Sequence, residues 1–455
     1  MQESSTWDET RYFGLGKYLL IEHRWDVPGS ILHPPLSYYV HSIPLLFFPT
    51  DQLLWKSDAA RAKDPQYLAW ADLERGRAML ASSANQGDCM LDLSRLTMVL
   101  IGVLLGCFVY SWSYSLYGKW SALCAVILYS FSPDILAHTR LITPDICLTT
   151  FCFLTLYYFW RAMRDERLRD TVLAGVCLGL ALLSQFTGLL LLPICFALMI
   201  LWVGKKKAIN LRNCCVFMIV GVTLLFLGYG MNLEPYFAGI LYQSQYARIG
   251  HPVFLMGHLS NHGWWYYFVV AFVLKTPVAA LILLMTALVL FIRRFPKDDW
   301  TSEAFLLVPV AAIFCFFSIN PQAVGLRYVL PIYPFLFVLA SGAARVLFSN
   351  AIVTVLYIAL FSWYIAASCC IHPHYLAYFN ELAGGPNNGY KYLVDSNLDW
   401  GQDLKGLKQY MVKHGISRIN LSYFRSDSPE RYGIAYNWLP SFELQDPDPK
   451  CRCKN

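Results

Sequence analysis

The chain has 455 residues, of which 56% are hydrophobic and only 15% charged. Soluble domains carry about a quarter charged residues, so a water-soluble globular enzyme is excluded and a membrane-embedded chain is indicated. The net charge of +6 is too small to point to nucleic acid, and the 16% aromatic content suits the Trp and Tyr belts of a membrane interface.

Residues 1–94 form a long polar and aromatic opening segment. Its first 30 residues contain no apolar h-region, so no signal peptide is expected. The segment carries an acidic pair, Asp8-Glu9, and a His33-Pro34-Pro35-Leu36 turn whose prolines enforce extended backbone. Leu36 to Phe48 is apolar but interrupted by His41 and Pro44, which predicts an interfacial helix rather than a span. Ten apolar runs follow, at 95–116, 119–133, 145–163, 171–185, 186–203, 213–231, 265–292, 302–319, 328–348 and 351–370. Several fall short of the roughly 20 residues that a perpendicular helix needs, so the count of ten carries soft boundaries.

Basic residues orient the bundle. Arg161, Arg164, Arg167 and Arg169 follow the third run, and Lys205, Lys206, Lys207 and Arg212 the fifth. Arg293, Arg294 and Lys297 follow the seventh, and Arg345 lies near the end of the ninth. These are alternate connections, so they share one face, which the positive-inside rule makes cytoplasmic. Residues 1–94, 131–145, 232–264, 319–328 and 371–455 then lie outside. In the last of these, "KGLKQYMVKHG" reads as a helix closed by glycine and "RINLSYF" as a short strand, together a small outer appendage. Most of the 14 cysteines sit inside apolar runs as small hydrophobes. Neither the Cys214-Cys215 and Cys369-Cys370 pairs nor Cys451 and Cys453 have metal-ligand spacing backed by a second cluster.

Polar residues on the outer side are the candidates for chemistry. Asp8-Glu9 is either a solvated or helix-capping pair, or a general base for a hydroxyl with a neighbour that orients water, metal or substrate. Asp145 is either the start of a helix after Pro144 or a ligand that works with Arg140 on a phosphate and a divalent cation. Lys275, inside an apolar run, costs about 2.5–3.5 kcal/mol at a bilayer centre and must snorkel, pair or function. Arg327 is a second cation at an outer span end. Both can be anchors or phosphate ligands. Tyr236, Asn261, His262, Trp264 and Trp265 on the 232–264 loop receive no role.

The acidic pair, the "HPPL" turn and "AHTRLITPDICLTTF" resemble the protein O-mannosyltransferases and their bacterial relatives. These are membrane glycosyltransferases of the GT-C fold that use polyprenyl-phosphate-linked sugars. "LALLSQFTGLLLLP", "LKTPVAAL", "GLRYVLPIYPF" and "HYLAYFNELAGGPNNGYKYLVDSNLDWGQDL" are similar to the bacterial branch. The resemblance implies Asp8 as catalytic base with Glu9 assisting, and Arg140 facing the donor phosphate. Asp145 matches an acidic position that contributes to a metal site in aminoarabinose-transferring cousins. His33 stands where those cousins carry a phosphate-contacting lysine. Lys275 and Arg327 match positions at the outer membrane edge, read here as donor-phosphate ligands. The family has a span before its acidic pair and usually continues well past "YFRSDSPERYGIAYNWLP"; the sequence given begins a few residues before the pair and stops soon after that stretch.

The reading is an all-α polytopic membrane protein, a GT-C type helical bundle with outer-face loops (1–94), a transmembrane bundle (95–370) and a small C-terminal outer appendage (371–455). Its expected activity is transfer of a hexosyl or pentosyl unit from a polyprenyl-phosphate donor to an acceptor hydroxyl on protein, lipid or glycan, with inversion. The expected setting is the bacterial inner membrane with the site facing outward. Membrane lipids are partners, nucleic acid is not, and a divalent cation is the one cofactor considered. The rivals are a transporter or lipid flippase, and an inactive truncated relative. Transporters place ionisable residues near the midplane, whereas here they gather at one face.

Overall fold

The computed structural model of the chain describes residues 3–22, 25, 29–48, 65–81, 86–204, 210–250, 252–294, 300–319, 325–346, 350–424 and 426–439. The basic residues Lys205, Lys206, Lys207 and Lys297 lie outside the described residues, as do Cys451 and Cys453.

The opening segment folds as α1 (Trp7–Glu22), α2 (Leu36–Ser42) with a 3-10 turn at Pro44–Phe47, and α3 (Pro65–Ala81). Glycine lets α1 and α3 touch: a Cβ at Gly76 would lie 1.9 Å from the Thr10 carbonyl oxygen, and one at Gly14 2.6 Å from the Gly76 nitrogen. α2 packs between α1 and α4 (Gly87–Tyr117). At 1.5 Å per residue, the 31 residues of α4 extend about 46 Å, more than the roughly 30 Å of a hydrocarbon core. Its first turns therefore reach past the membrane into the opening segment.

α5 (Lys119–Ser130) and α6 (Pro133–Thr139) form a pair bent by 62°, with Ser132 capping α6 and Pro133 in its first position. α7 (Pro144–Asp165) starts with Pro144 in its first position and is the most enclosed of the long helices, 78% of its apolar window being buried. Trp112 of α4 packs against Phe153 and Trp160 of α7, at 4.9 and 5.9 Å between rings. α8 (Leu168–Leu182) lies between α7 and α10 (Leu211–Gly228), and α9 (Leu191–Gly204) packs on α14 (Thr301–Ile319). Gly175 and Gly179 meet Gly221 across the α8–α10 contact, where close backbone approach replaces the hydrophobic drive that lipid does not supply.

α11 (Glu234–Ile249) and a hairpin of β1 (Val253–Leu255) and β2 (His258–Ser260) fill the long connection to α12 (Tyr267–Lys275). The seventh apolar run breaks by 113° between α12 and α13 (Val278–Arg294), where Pro277 holds Thr276 extended. α15 (Ile332–Ser341) is buried all round, and α16 (Ala351–Ile371) is mostly lipid-facing. α17 (Leu404–Lys413) and the parallel pair β3 (Ile419–Leu421) and β4 (Tyr436–Trp438) close the chain.

Each of the ten apolar runs is helical. Among the described residues, six helices are long and apolar enough to cross a membrane, or up to eight if each bent pair counts as one span. α8 has only 15 residues, and the apolar helix at Ile332–Arg345 is likewise shorter than a full span. The interfacial helix expected at Leu36 to Phe48 is instead half buried against the bundle, with Tyr38 and His41 inside.

Candidate active site

Four chain segments meet at one end of the bundle. Asp8 stands in the first turn of α1, Asp145 in the first turn of α7, Arg327 in a 3-10 turn (Leu326–Val329) before α15, and Trp400 in the tail. The Arg327 Nη1 donates to Asp8 Oδ2 at 2.7 Å and lies 3.8 Å from Asp145 Oδ2. Its guanidinium lies 4.2 Å from the centre of the Trp400 ring and 5.4 Å from that of Tyr328. Gln185, at the break between α8 and α9, donates to Asp145 Oδ1 at 2.9 Å. The second Asp145 oxygen is buried and, like Arg327 Nε, has no hydrogen-bond partner. Arg11 approaches Asp8 from its own helix at 4.0 Å, and Tyr12 turns its hydroxyl toward Asp8 Oδ2 at 3.4 Å.

Burial would push the Asp8 carboxyl up, but Arg327, with Arg11 behind it, outweighs that and holds it below the usual carboxylate range. Asp8 is therefore ionised at neutral pH. His33 packs edge-on against Tyr12, at 5.6 Å between rings. Burial pulls its pKa down to about 4 despite the nearby Asp8. The imidazole is then neutral at pH 7, so a contact to the donor phosphate would be a hydrogen bond rather than a charge. Asp395, in the tail turn at Asp395–Asn397, is driven up to about 6 by burial, opposed by the Ser396 amide and Arg327. Its φ of +61° is unusual for a residue with a side chain.

The other expected site residues have different employment. Glu9 is wholly buried, and both its oxygens are taken by Arg95 at 2.8 and 2.7 Å, with the Thr6 and Ile142 amides completing the shell. It ties α1 to α4 and to the start of α7, and offers no oxygen to a substrate. Arg140 is paired with Glu3 and sits over the Tyr375 ring at 5.6 Å. His374 approaches the same Glu3 carboxylate at 3.5 Å. Lys275 is buried and donates to the carbonyls of Leu376 at 2.8 Å and Asn397 at 2.6 Å, with Asp134 at 4.0 Å. In this arrangement it clamps the tail, whereas the sequence reading expected a donor-phosphate ligand. Nor is residue 371 the start of a separate appendage: Trp400 covers Arg327, its carbonyl accepts from the Trp7 amide at 3.0 Å, and Ser4 donates to Gln402 at 2.9 Å.

The residues do not fit a metal ion as arranged. Among the described residues no three His, Cys, Asp or Glu side chains converge, and the space between Asp8 and Asp145 holds the Arg327 guanidinium. An almost wholly apolar pocket, with free room of only about 20 Å³, lies directly below. Leu148, one turn along α7 from Asp145, and Tyr328, next to Arg327, line it with Leu156, Thr187, Ile194 and Ile313.

The sequence reading missed Gln185, Trp400, Asp395, Asn397 and Arg95. Gln185 had a signal, a polar residue in the break between two apolar runs, and the "DSNLDWGQDL" stretch was singled out without a role. Arg95 had none, since its partners lie 86 to 92 positions away.

Residues 91–229 match the profile of a family described as dolichyl-phosphate-mannose-protein mannosyltransferase. ArnT from Cupriavidus metallidurans in the apo state is similar over 91% of this chain and 69% of its own, with a TM-score of 0.52 and 14% identity. The Archaeoglobus fulgidus oligosaccharyltransferase, in complex with Zn and sulfate, is similar over 80% of this chain, with a TM-score of 0.51 and 16% identity. The chain spans 49% of that protein. No curated protein matches in sequence. The likeness is one of fold: the chain is a polytopic membrane protein of the GT-C fold class. Within the class, its family likeness is to the mannosyltransferases of the 91–229 match.

Proposed function

We propose that the chain transfers a sugar from a polyprenyl-phosphate donor to an acceptor hydroxyl on the outer face of the bacterial inner membrane, with inversion. The observation that carries this reading is the Asp8–Arg327 pair, flanked by Asp145, at the head of an apolar cavity. A lipid-linked phosphate matches both halves in chemistry: the apolar lining below Tyr328 suits the start of its tail once the pocket widens, and Arg327 above suits its phosphate. The likeness to a family named for a dolichyl-phosphate sugar supports the same donor class. The basic residues gathered at the opposite end of the bundle support an outward-facing site.

Asp8 takes the proton of the acceptor hydroxyl. The oxygen attacks the anomeric carbon from the side opposite the phosphate, the bond from that carbon to the phosphate oxygen breaks, and polyprenyl phosphate leaves. Arg327 stands where negative charge develops, and a fixed cation in a partly dry site is usually the largest single catalytic contribution. Arg327 also links the two halves of the reaction. As its charge turns toward the leaving phosphate, it relaxes its hold on Asp8, whose basicity rises at the moment the proton is taken. Arg140 is the second cation for the phosphate once Glu3 is displaced. Acceptor hydroxyls of protein, lipid and glycan all fit this chemistry. No step runs through a metal.

Transfer of radiolabelled sugar from a panel of polyprenyl-phosphate donors, in membranes bearing wild type or Asp8→Asn, tests the reading. Label moving into an acceptor with wild type and not with Asp8→Asn, at equal protein level, is the expected result. Undiminished transfer by Asp8→Asn overturns the assignment of the base.

A further inference from the structure

Arg327 lies on a short turn beside the tail, and its placement depends on one side chain that no part of the mechanism above uses. Asn397 is 1% exposed and makes bonds in every direction. Its Oδ1 accepts from the Leu326 amide at 2.9 Å, one residue before Arg327. Its Nδ2 donates to the Tyr267 hydroxyl at 3.0 Å and to the Val394 carbonyl at 3.1 Å. Its own carbonyl accepts from Lys275 Nζ at 2.6 Å. The turn bearing Arg327 and the turn at Asp395–Asn397 are pressed together elsewhere as well: a Cβ on Gly325 would lie 2.2 Å from Ser396 Oγ.

We propose that Asn397 is the positioning residue of the site. Through the Leu326 amide it fixes Arg327 against Asp8, and Lys275 holds it in place from the membrane side. This rests on the transferase reading above for its consequence in catalysis, though not for its structural content. A 3-10 turn of four residues has few bonds of its own to define it. Removing the acceptor of the Leu326 amide leaves a buried N–H unpaired and frees the turn to shift. Misplacement of a catalytic group by about 1 Å can cost on the order of 100-fold in rate. Burying a side-chain amide at the hub, rather than an apolar residue, is justified only if all its bonds are made, and here each is.

Two measurements on the full-length protein test this. In the transfer assay, Asn397→Ala is expected to lower kcat about 10- to 100-fold with little change in KM. The same substitution in an Arg327→Gln background is expected to lower it less than about threefold further, because its effect runs through Arg327. Asn397→Asp keeps the acceptor for the Leu326 amide but loses the bonds made by Nδ2, and is expected to restore part of kcat. Equal losses in the two backgrounds, or no loss in either, overturn the proposal. Hydrogen exchange of the peptide containing Leu326 needs no activity. Asn397→Ala should speed exchange there at least tenfold while the α7 and α15 peptides keep wild-type rates, and Asn397→Asp should return protection. Unchanged exchange at Leu326, or equal loss everywhere that Asn397→Asp does not reverse, also overturns it. If wild type transfers no sugar while Leu326 responds as expected, the function assigned above fails and the positioning contact stands.

Discussion

Two cations, Lys275 buried and Arg327 partly so, face carboxylates at the same end of this bundle, and they differ in what surrounds them. Lys275 lies 4.0 Å from Asp134 and donates to two backbone carbonyls, while Asp134 Oδ2 accepts from the Tyr333 hydroxyl at 3.1 Å. There the cation and the acid are both partnered. Arg327 lies between Asp8 and Asp145, its Nε and one Asp145 oxygen lack partners, and an apolar cavity opens beside it. Buried polar groups are normally satisfied, so a cation and an acid that each keep an unpartnered atom beside an apolar pocket mark where a ligand can complete the shell. A cation facing an acid is common to both regions; the unpartnered atoms on the pair itself belong to one.

The sharpest way to break this contrast is Asp8→Asn, which should lower transfer by about 10²–10⁴-fold, the usual contribution of a general base, in membranes with normal protein levels. Arg327→Gln comes next, with kcat reduced about 10²–10³-fold. It should also move the acid limb of the rate–pH profile. Asp8 acts ionised, and Arg327 helps hold its pKa below the ordinary carboxylate range. Without Arg327 that pKa rises, and activity is lost at a higher pH than in wild type. Lys275→Met probes the first region. It should destabilise the fold by about 3 kcal/mol, because Asp134 stays buried without its cation, and Asp134→Asn in the same chain should recover most of that. Thermal unfolding in detergent measures both, and the KM for donor should stay within about twofold if Lys275 does not touch phosphate. A donor KM that rises tenfold would erase the distinction between the two regions.

The smallest effect concerns His33. Its pKa falls from 6.5 to about 4 in the folded state. Between those values the unfolded chain binds a proton that the folded chain does not, so wild type loses stability as pH drops from 6.5 toward 4. His33→Gln should flatten that part of the melting-temperature profile and leave pH 7.5 nearly unchanged. A parallel profile for the two proteins would mean that His33 is not held neutral.

Much of the bundle was legible because helices in lipid must be apolar and continuous, so hydropathy marks them directly. The breaks at Ser132-Pro133 and Thr276-Pro277 were visible as prolines, but bends of 62° and 113° were not. Within the site, Asp8, Asp145 and Arg327 were each singled out, and they meet. Their companions Glu9, Lys275 and Arg140 are also polar residues near the same face, and composition cannot separate a residue facing a cavity from one satisfied by Arg95, by Leu376 or by Glu3. That separation is set by hydrogen bonds between segments far apart in sequence. Trp400 and Asn397 escaped notice for the same reason, since a tryptophan or asparagine in a turn-rich tail carries no sign of the arginine it covers or holds.

The bonds from Trp7 to Trp400 and from Ser4 to Gln402 join opposite ends of the chain. At synthesis rates of about 5–20 residues per second, roughly 20–80 s separate the emergence of these partners from the ribosome. For that interval the helices that precede the tail can already be in place, yet Arg327 lacks its cover and α1 its final anchor. The site is thus incomplete until the tail arrives, and its assembly reports that synthesis has run past residue 400.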